Sequence, residues 1–302
     1  MKFTKIRAPD FDLEKTLDSG QVFHWEKVGD GFIGAIGDRA VYIEQRGDTL
    51  RVLMESGAPA RPAQRRANKS GSQELGPPAH DSIEGYFALD HPLAEICDSF
   101  PKDPVMNTAR DFCRGLRIIR QPKWECLATF ICSSMKQVAH IRQISLALRK
   151  RFGKEREIGG DLVHAFPPPR RLAQASVKEL LECKLGYRAK NMRATARLVS
   201  SGQADLEAWL ALPDEELRKQ LCALPGVGPK IANCVMLFAY ERLRAFPIDV
   251  WIERVLKQHY FSHRTKMTAQ RLREFTETYF GDHGGYAQQY LFHQARMVSK
   301  RS

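Results

Sequence analysis

Nowhere in the 302-residue chain do about eighteen apolar residues run together, so no membrane-spanning helix is expected. The first twenty-one residues contain no continuous apolar core, and no secretory signal is visible there. Cysteine is sparse and scattered. Cys97, Cys113, Cys126, Cys132, Cys183, Cys222 and Cys234 form no C-x-x-C pair and are odd in number. They read as reduced, mostly buried thiols of a cytoplasmic protein rather than a disulfide framework. Phosphate-binding P-loops, nicotinamide fingerprints and metal-ligand clusters are also missing, so no organic cofactor and no side-chain metal site are expected, while a metal ion bridged by backbone carbonyls stays open.

Positive charge is abundant. Lys and Arg number 47 against 35 Asp and Glu, a net +12 with a pI near 9.5. Basic groups that neutralise phosphates release condensed counterions, so this balance implies a polyanionic partner. Charge alone leaves DNA, RNA and an anionic membrane surface open. A hydrophobic content of 43% supports real cores, and the length suggests about two domains.

From 21 to 54 short β-type runs alternate with Gly-Asp turn signals, which reads as an antiparallel meander. Residues 55–81 break the pattern with Pro, Gly, Ser and Gln and with Arg61, Arg65, Arg66 and Lys69. This stretch has too little apolar surface to order itself and is expected to be a mobile loop. After about Ile83 apolar residues recur at three- and four-residue spacing, predicting helices over 124–134, 137–151, 176–181, 187–200, 214–221, 229–240, 250–258, 268–279 and 286–298. The expected fold is α+β: a small β-rich domain over 1–104, then a larger all-α domain over 105–302.

Leu224-Pro225-Gly226-Val227-Gly228-Pro229-Lys230 is the most informative stretch. One helix ends near Ala223, and both Gly226 and Gly228 can take positive φ in the turn that follows. Pro229 then suits a helix's first turn. Glycines also allow close approach to a phosphate, with N–H groups at the helix start aimed outward. Such a helix-hairpin-helix clamps a DNA backbone without reading sequence. Lys230 sits in the first turn of the second helix, beside the buried face of Ile231, Cys234, Val235 and Phe238. The helix dipole and partial desolvation would lower its pKa, as a lysine nucleophile requires. Asp249 follows nineteen positions on in Phe246-Pro247-Ile248-Asp249-Val250. It is placed to cap the next helix, and a cap also locks a carboxylate's rotamer at the mouth of a cleft.

These residues resemble the helix-hairpin-helix DNA glycosylases, and within them the 8-oxoguanine DNA glycosylases. Leu17-Asp18-Ser19-Gly20-Gln21-Val22-Phe23-His24-Trp25 is similar to that family's N-terminal strand motif. The run from Glu125 to Ser134 resembles its first core helix, and Leu185-Gly186-Tyr187-Arg188-Ala189 its duplex-inserting loop. Gly285-Tyr286-Ala287-Gln288 with Leu291-Phe292 resembles its base pocket. The resemblance implies a monomeric enzyme acting on duplex DNA at the nucleoid or in the nucleus. Lys230 would attack C1′ of an extruded oxidised guanine and Asp249 would stabilise the transition state. Gly20, Gln288, Phe292 and Cys234 would contact the base, with Gln288 and Phe292 on one helical face. Gly226, Gly228, Tyr187, Arg188, His140 and Met135 would contact DNA.

The chain also departs from the family. Met135-Lys136-Gln137 stands where the family usually has three asparagines, and His140 where it has an arginine reading the orphaned cytosine. The runner-up, an endonuclease III-like glycosylase, commonly carries a four-cysteine iron–sulfur site after the catalytic Asp. No cysteine follows Cys234 here. A non-catalytic DNA clamp would need neither Lys230 nor Asp249.

Overall fold

The structure, a computed structural model, describes residues 3–55, 82–134, 137–261 and 268–299. The loop expected over 55–81 lies, but for Glu55, outside the described residues, as does Met135. The fold is α+β, with an antiparallel sheet near the N-terminus and a helical body after it.

Five strands form the sheet: β1 (Thr4–Arg7), β2 (Glu26–Val28), β3 (Gly31–Ile36), β4 (Arg39–Arg46) and β5 (Thr49–Met54), in the order β1-β5-β4-β3-β2. Three two-residue turns join β2 to β5, each beginning with Gly29, Gly37 or Gly47 at φ +55 to +57 and continuing with Asp. That positive φ matches the twist of hairpin strands, so the Gly-Asp pairs set the register. β1 was not foreseen; its four residues, Thr-Lys-Ile-Arg, carry too little apolar signal to stand out. The expectation of a strand at 22–25 also needs correction. Residues 21–25 are buried but outside any strand, and a short helix, Leu13–Asp18, precedes them. This segment runs between sheet and helices, its side chains divided between their cores: Phe23 joins the helical core, and Val22 and Trp25 join the sheet's.

The helical expectations are met within a residue or two at Val138–Phe152, Arg188–Ser200, Asp214–Cys222, Pro229–Tyr240, Val250–His259 and Gly284–Ser299, while the helix expected over 124–134 runs Lys123–Ile131 and stops three residues short. One element contradicts an all-α second half. After the helix Val138–Phe152 the chain forms a hairpin of β6 (Glu155–Ile158) and β7 (Asp161–His164) around Gly159-Gly160. Ile158 and Val163 pack on Ile33 and Ala40 of the first sheet. Arg156 reaches Asp38 at 3.2 Å and Glu55 at 3.4 Å. A buried ion pair joins Glu125 to Arg149 nearby, and His24 Nδ1 lies 3.5 Å from the same carboxylate. Among the described residues no helix is long and apolar enough to cross a membrane.

Candidate nucleic-acid and base-binding site

Two helices and the turn between them build the hairpin. Asp214–Cys222 ends at Ala223, and Pro229–Tyr240 begins with Pro229 in its first turn. Thr195 Oγ1 donates to the Pro225 carbonyl at 2.8 Å, tying the turn to the helix Arg188–Ser200. Gly226 has φ +84, and a Cβ there would lie 2.8 Å from Asn191 Cβ. Glycine is therefore required twice over, by conformation and by space. Gly228 differs from the expectation of positive φ. It is the helix N-cap at φ −104, ψ −179, extended backbone open to any residue, and a Cβ there would meet nothing within 4 Å. What Gly228 leaves is open surface at the positive end of a helix.

Pro229 puts Lys230 one residue into that helix. Its Nζ donates to Ser133 Oγ at 3.1 Å and sits 5.2 Å from the Phe130 ring centroid. Ser133 is buried, and its own hydroxyl donates to the Phe130 carbonyl at 2.7 Å. The serine's single proton is committed to that carbonyl, so it can only accept from Lys230. Ser133 lies in the run quoted for the first core helix, but nothing in its spacing marked it as the lysine's partner.

Asp249 caps the helix Val250–His259, its Oδ1 accepting from Ile252 N at 2.9 Å. Burial pushes its carboxyl above the ordinary value, while the Ile252 N–H and the charge of Lys230 pull the other way. Lys230 and Asp249 line the same cleft, about 1070 Å³ in volume, together with Gly226 and Gly228. No hydrogen bond or ion pair joins them among the described residues.

A smaller pocket of about 40 Å³ opens off the cleft, lined by Gly20, Lys230, Cys234, Asp249, Gln288 and Phe292 among others. Gly20 has φ +85 and is held from both sides. Gln289 Nε2 donates to Ser19 O at 2.9 Å, and Gln121 Nε2 to Gln21 O at 2.7 Å. Arg296 Nη2 donates to Asp18 O, and Gln21 is fully buried, its amide spanning Thr16, Ser19, Arg117 and Ile119. Gln288 is buried with its Oε1 lacking any hydrogen-bond partner. A buried acceptor left unpaired costs about 1–3 kcal/mol, so this one marks where a donor is due. Burial pushes the Cys234 thiol up to about 11, which leaves it a neutral wall of the pocket at pH 7. Among the described residues no cluster of three His, Cys, Asp or Glu is arranged to hold a metal ion.

The remaining expected DNA contacts lie apart from that pocket. Tyr187 is 63% exposed just before the helix Arg188–Ser200, with the Arg188 guanidinium 4.3 Å from its ring centroid. Arg188 itself is buried, donating to Leu185 O and Ser134 O, so it does not belong to the exposed basic face formed by Lys184, Lys190 and Arg197. His140 is exposed in the first turn of Val138–Phe152. Arg296, buried beside Gly20 and Phe292, went unnoticed in the sequence; its spacing of four from Phe292 and eight from Gln288 is the signal that pointed to it.

Comparison with known proteins agrees with this geometry. The N-terminal domain of 8-oxoguanine DNA glycosylase matches residues 4–127, and the HhH-GPD superfamily base excision DNA repair protein matches residues 128–278. The N-glycosylase/DNA lyase of Saccharomyces cerevisiae is 32% identical over 294 residues, covering 90% of this chain and 75% of that protein. A solved structure of MBOgg1 in complex with low affinity DNA ligand has a TM-score of 0.85 at 32% identity, covering 99% of this chain and 100% of that one. The Clostridium acetobutylicum 8-oxoguanine glycosylase/lyase, in complex with dsDNA containing cytosine opposite to 8-oxoG, has a TM-score of 0.83 at 27% identity, over 99% and 100% of the two chains. With both halves matched in order, the chain belongs to the HhH-GPD superfamily of base excision DNA repair proteins, in the branch that carries the 8-oxoguanine DNA glycosylase N-terminal domain.

Proposed function

We propose that this protein removes 8-oxoguanine from duplex DNA as a bifunctional glycosylase and lyase. The observation that carries the reading is the meeting of Lys230, Asp249, Gly20 and Gln288 around one cleft and its side pocket. A base reaches such a pocket only when flipped out of the stack, because C1′ and the base edges are shielded within the duplex.

Chemistry follows from the placement. Lys230 Nζ, in its neutral form, attacks C1′ as the glycosidic bond breaks and the base leaves with that electron pair. The sugar ring then opens to a Schiff base, and loss of the 2′ proton expels the 3′ phosphate, nicking the strand. Asp249, ionised and fixed by its capping bond, faces the positive charge that develops on the sugar. The N7–H that 8-oxoguanine has and guanine lacks would donate to the Gly20 carbonyl. Gln288 Oε1 would accept from N–H groups on the far edge of the base, and Phe292 would stack on its face.

Hairpin N–H groups around Gly226 and Gly228 would hold the backbone, and Tyr187 would wedge where the base has left. The β-rich domain would span 1–104 and the helical domain 105–302. The work of the protein would lie where DNA is, at a nucleoid or in a nucleus. The experiment that tests the reading incubates the protein with duplexes carrying different damaged bases, with and without borohydride. Excision of 8-oxoguanine above other lesions, with a borohydride-dependent protein–DNA adduct, is expected; an absence of both would overturn it.

A further inference from the structure

Arg296 is the odd member of the buried cations. Its side chain is 5% exposed, and among the described residues its one ion-pair partner, Asp18, lies 3.4 Å away and is itself 55% exposed. Nη2 donates to the Asp18 carbonyl and lies 3.5 Å from His293 Nδ1. Nε and Nη1 are buried with no hydrogen-bond partner. Several other described arginines leave Nε unpaired, but Arg296 is the one among them that leaves a terminal nitrogen so. A charged donor withdrawn from water and left unmatched is costly, and such groups call for a ligand.

Its position says which ligand. Gln288, Phe292 and Arg296 recur every four residues on the helix Gly284–Ser299, so they form one line along a single face. Each step is about 6 Å, and the guanidinium lies 5.9 Å from the Phe292 ring centroid. A Cβ placed on Gly20 would lie 3.0 Å from Phe292 Cε1 and 3.5 Å from Arg296 Nη1. The unpaired nitrogen, the ring and Gly20 thus converge on one spot.

A purine stacked on Phe292 with its Watson–Crick edge at Gln288 points its opposite edge, N7 and C8, toward Arg296. In 8-oxoguanine the C8 carbonyl adjoins N7–H, as Arg296 adjoins Gly20. We propose that Arg296 is a specificity residue that donates from Nη1 to the C8 oxygen of the flipped base. The proposal rests on the function argued above and adds a second discrimination to it. Guanine carries only hydrogen at C8 and would leave the guanidinium unpaired. The side pocket, at about 40 Å³, holds roughly one water and no purine. A base entering it would displace part of that wall, and a turn of Phe292 away from Gly20 would also uncover Nη1.

The test compares 8-oxoguanine with 8-thioguanine, which keeps N7–H but presents sulfur, a poor acceptor, at C8. Single-turnover excision of both bases opposite cytosine is measured for the wild type and for Arg296→Leu. Nicking of a preformed abasic site, which has no base to read, is measured alongside. The wild type is expected to favour the oxo base by about 10–100-fold, the worth of a charge-assisted hydrogen bond, and Arg296→Leu to lose that preference while still nicking the abasic site. Equal loss on both bases in the variant would overturn the proposal, leaving Arg296 as an anchor for the Asp18 carbonyl. A variant that keeps the full preference would also overturn it. A wild type that excises neither base overturns this proposal together with the function on which it rests, a distinct outcome.

Discussion

Lys230 donates its hydrogen bond to Ser133, at 3.1 Å, and makes none to Asp249. The two groups line one cleft with no ion pair between them, which is what the proposed nucleophile and electrostatic partner would need. A direct ion pair would hold the lysine protonated and spend the carboxylate on it.

Covalent capture tests the lysine. Borohydride should reduce the Schiff base and leave the protein attached to an 8-oxoguanine duplex. Lys230→Gln should bind that duplex without forming the adduct, as followed by denaturing gel. An adduct at wild-type yield from the variant would remove Lys230 from its proposed role.

Asp249→Asn separates the cap from the charge. Asn caps about as well as Asp, so the Ile252 N–H stays satisfied. The folded Asp249 carboxyl titrates above its ordinary value of 3.8, so the folded chain holds that proton more tightly than the unfolded one. Stability from this group is therefore greatest below pH 3.8 and falls as pH rises through the folded value. At pH 7 the ionised carboxylate is a cost, and Asp249→Asn should melt no lower than wild type. Excision should nevertheless fall by about 100-fold or more, and the acid limb of the wild-type rate profile should lie above pH 3.8. A variant that loses melting temperature and keeps its rate would make Asp249 only a cap.

The hairpin glycines should part company. Gly226→Ala strains a φ of +84 and drives a Cβ to 2.8 Å from Asn191, so it should cost about 1–3 kcal/mol in denaturant unfolding. Gly228→Ala has ordinary φ and open space, so its stability should match wild type while its affinity for undamaged duplex falls. Equal stability losses would mean that the two positions serve the fold alike.

Much of this was legible because local signals were strong. Gly-Asp turns fixed three hairpins, Pro229 marked a helix start to the residue, and Asp249 had both an extended backbone and a free N–H to cap. What was missed depends on contacts distant in sequence. β1 gains its identity only by pairing with β5, and the hairpin Glu155–His164 only by packing on Ile33 and Ala40. Its Gly159-Gly160 turn was the available clue. Residues 21–25 alternate like a strand yet pair with none; the Gln121 side chain takes up the Gln21 carbonyl, and the Gln21 side chain binds the Ile119 N–H instead of a neighbouring strand. Ser133 matters through Lys230, 97 positions away, where no spacing rule reaches; Arg296 shares a helical face with Gln288 and Phe292, but its hold on the Asp18 carbonyl, 278 positions away, has no such signal.

Selectivity for the base opposite the lesion should be relaxed. A cytosine deprived of its partner presents ring-nitrogen and carbonyl acceptors that two charged forks would satisfy. One of them would be Arg188, buried and oriented by the carbonyls of Leu185 and Ser134 beside the exposed ring of Tyr187. The second position is His140, exposed in the first turn of its helix, shorter than arginine and with at most two donors. Losing one charged contact to a base edge costs about 1–3 kcal/mol of discrimination. 8-Oxoguanine opposite thymine, guanine or adenine should then be processed within about 10–100-fold of the cytosine pair. His140→Arg should sharpen the preference for cytosine, since arginine offers a longer, charged fork of five donors in place of the imidazole's two at most. Single-turnover rates on all four pairs decide the matter: a wild type already as strict as His140→Arg would show that this position does not read the opposite strand.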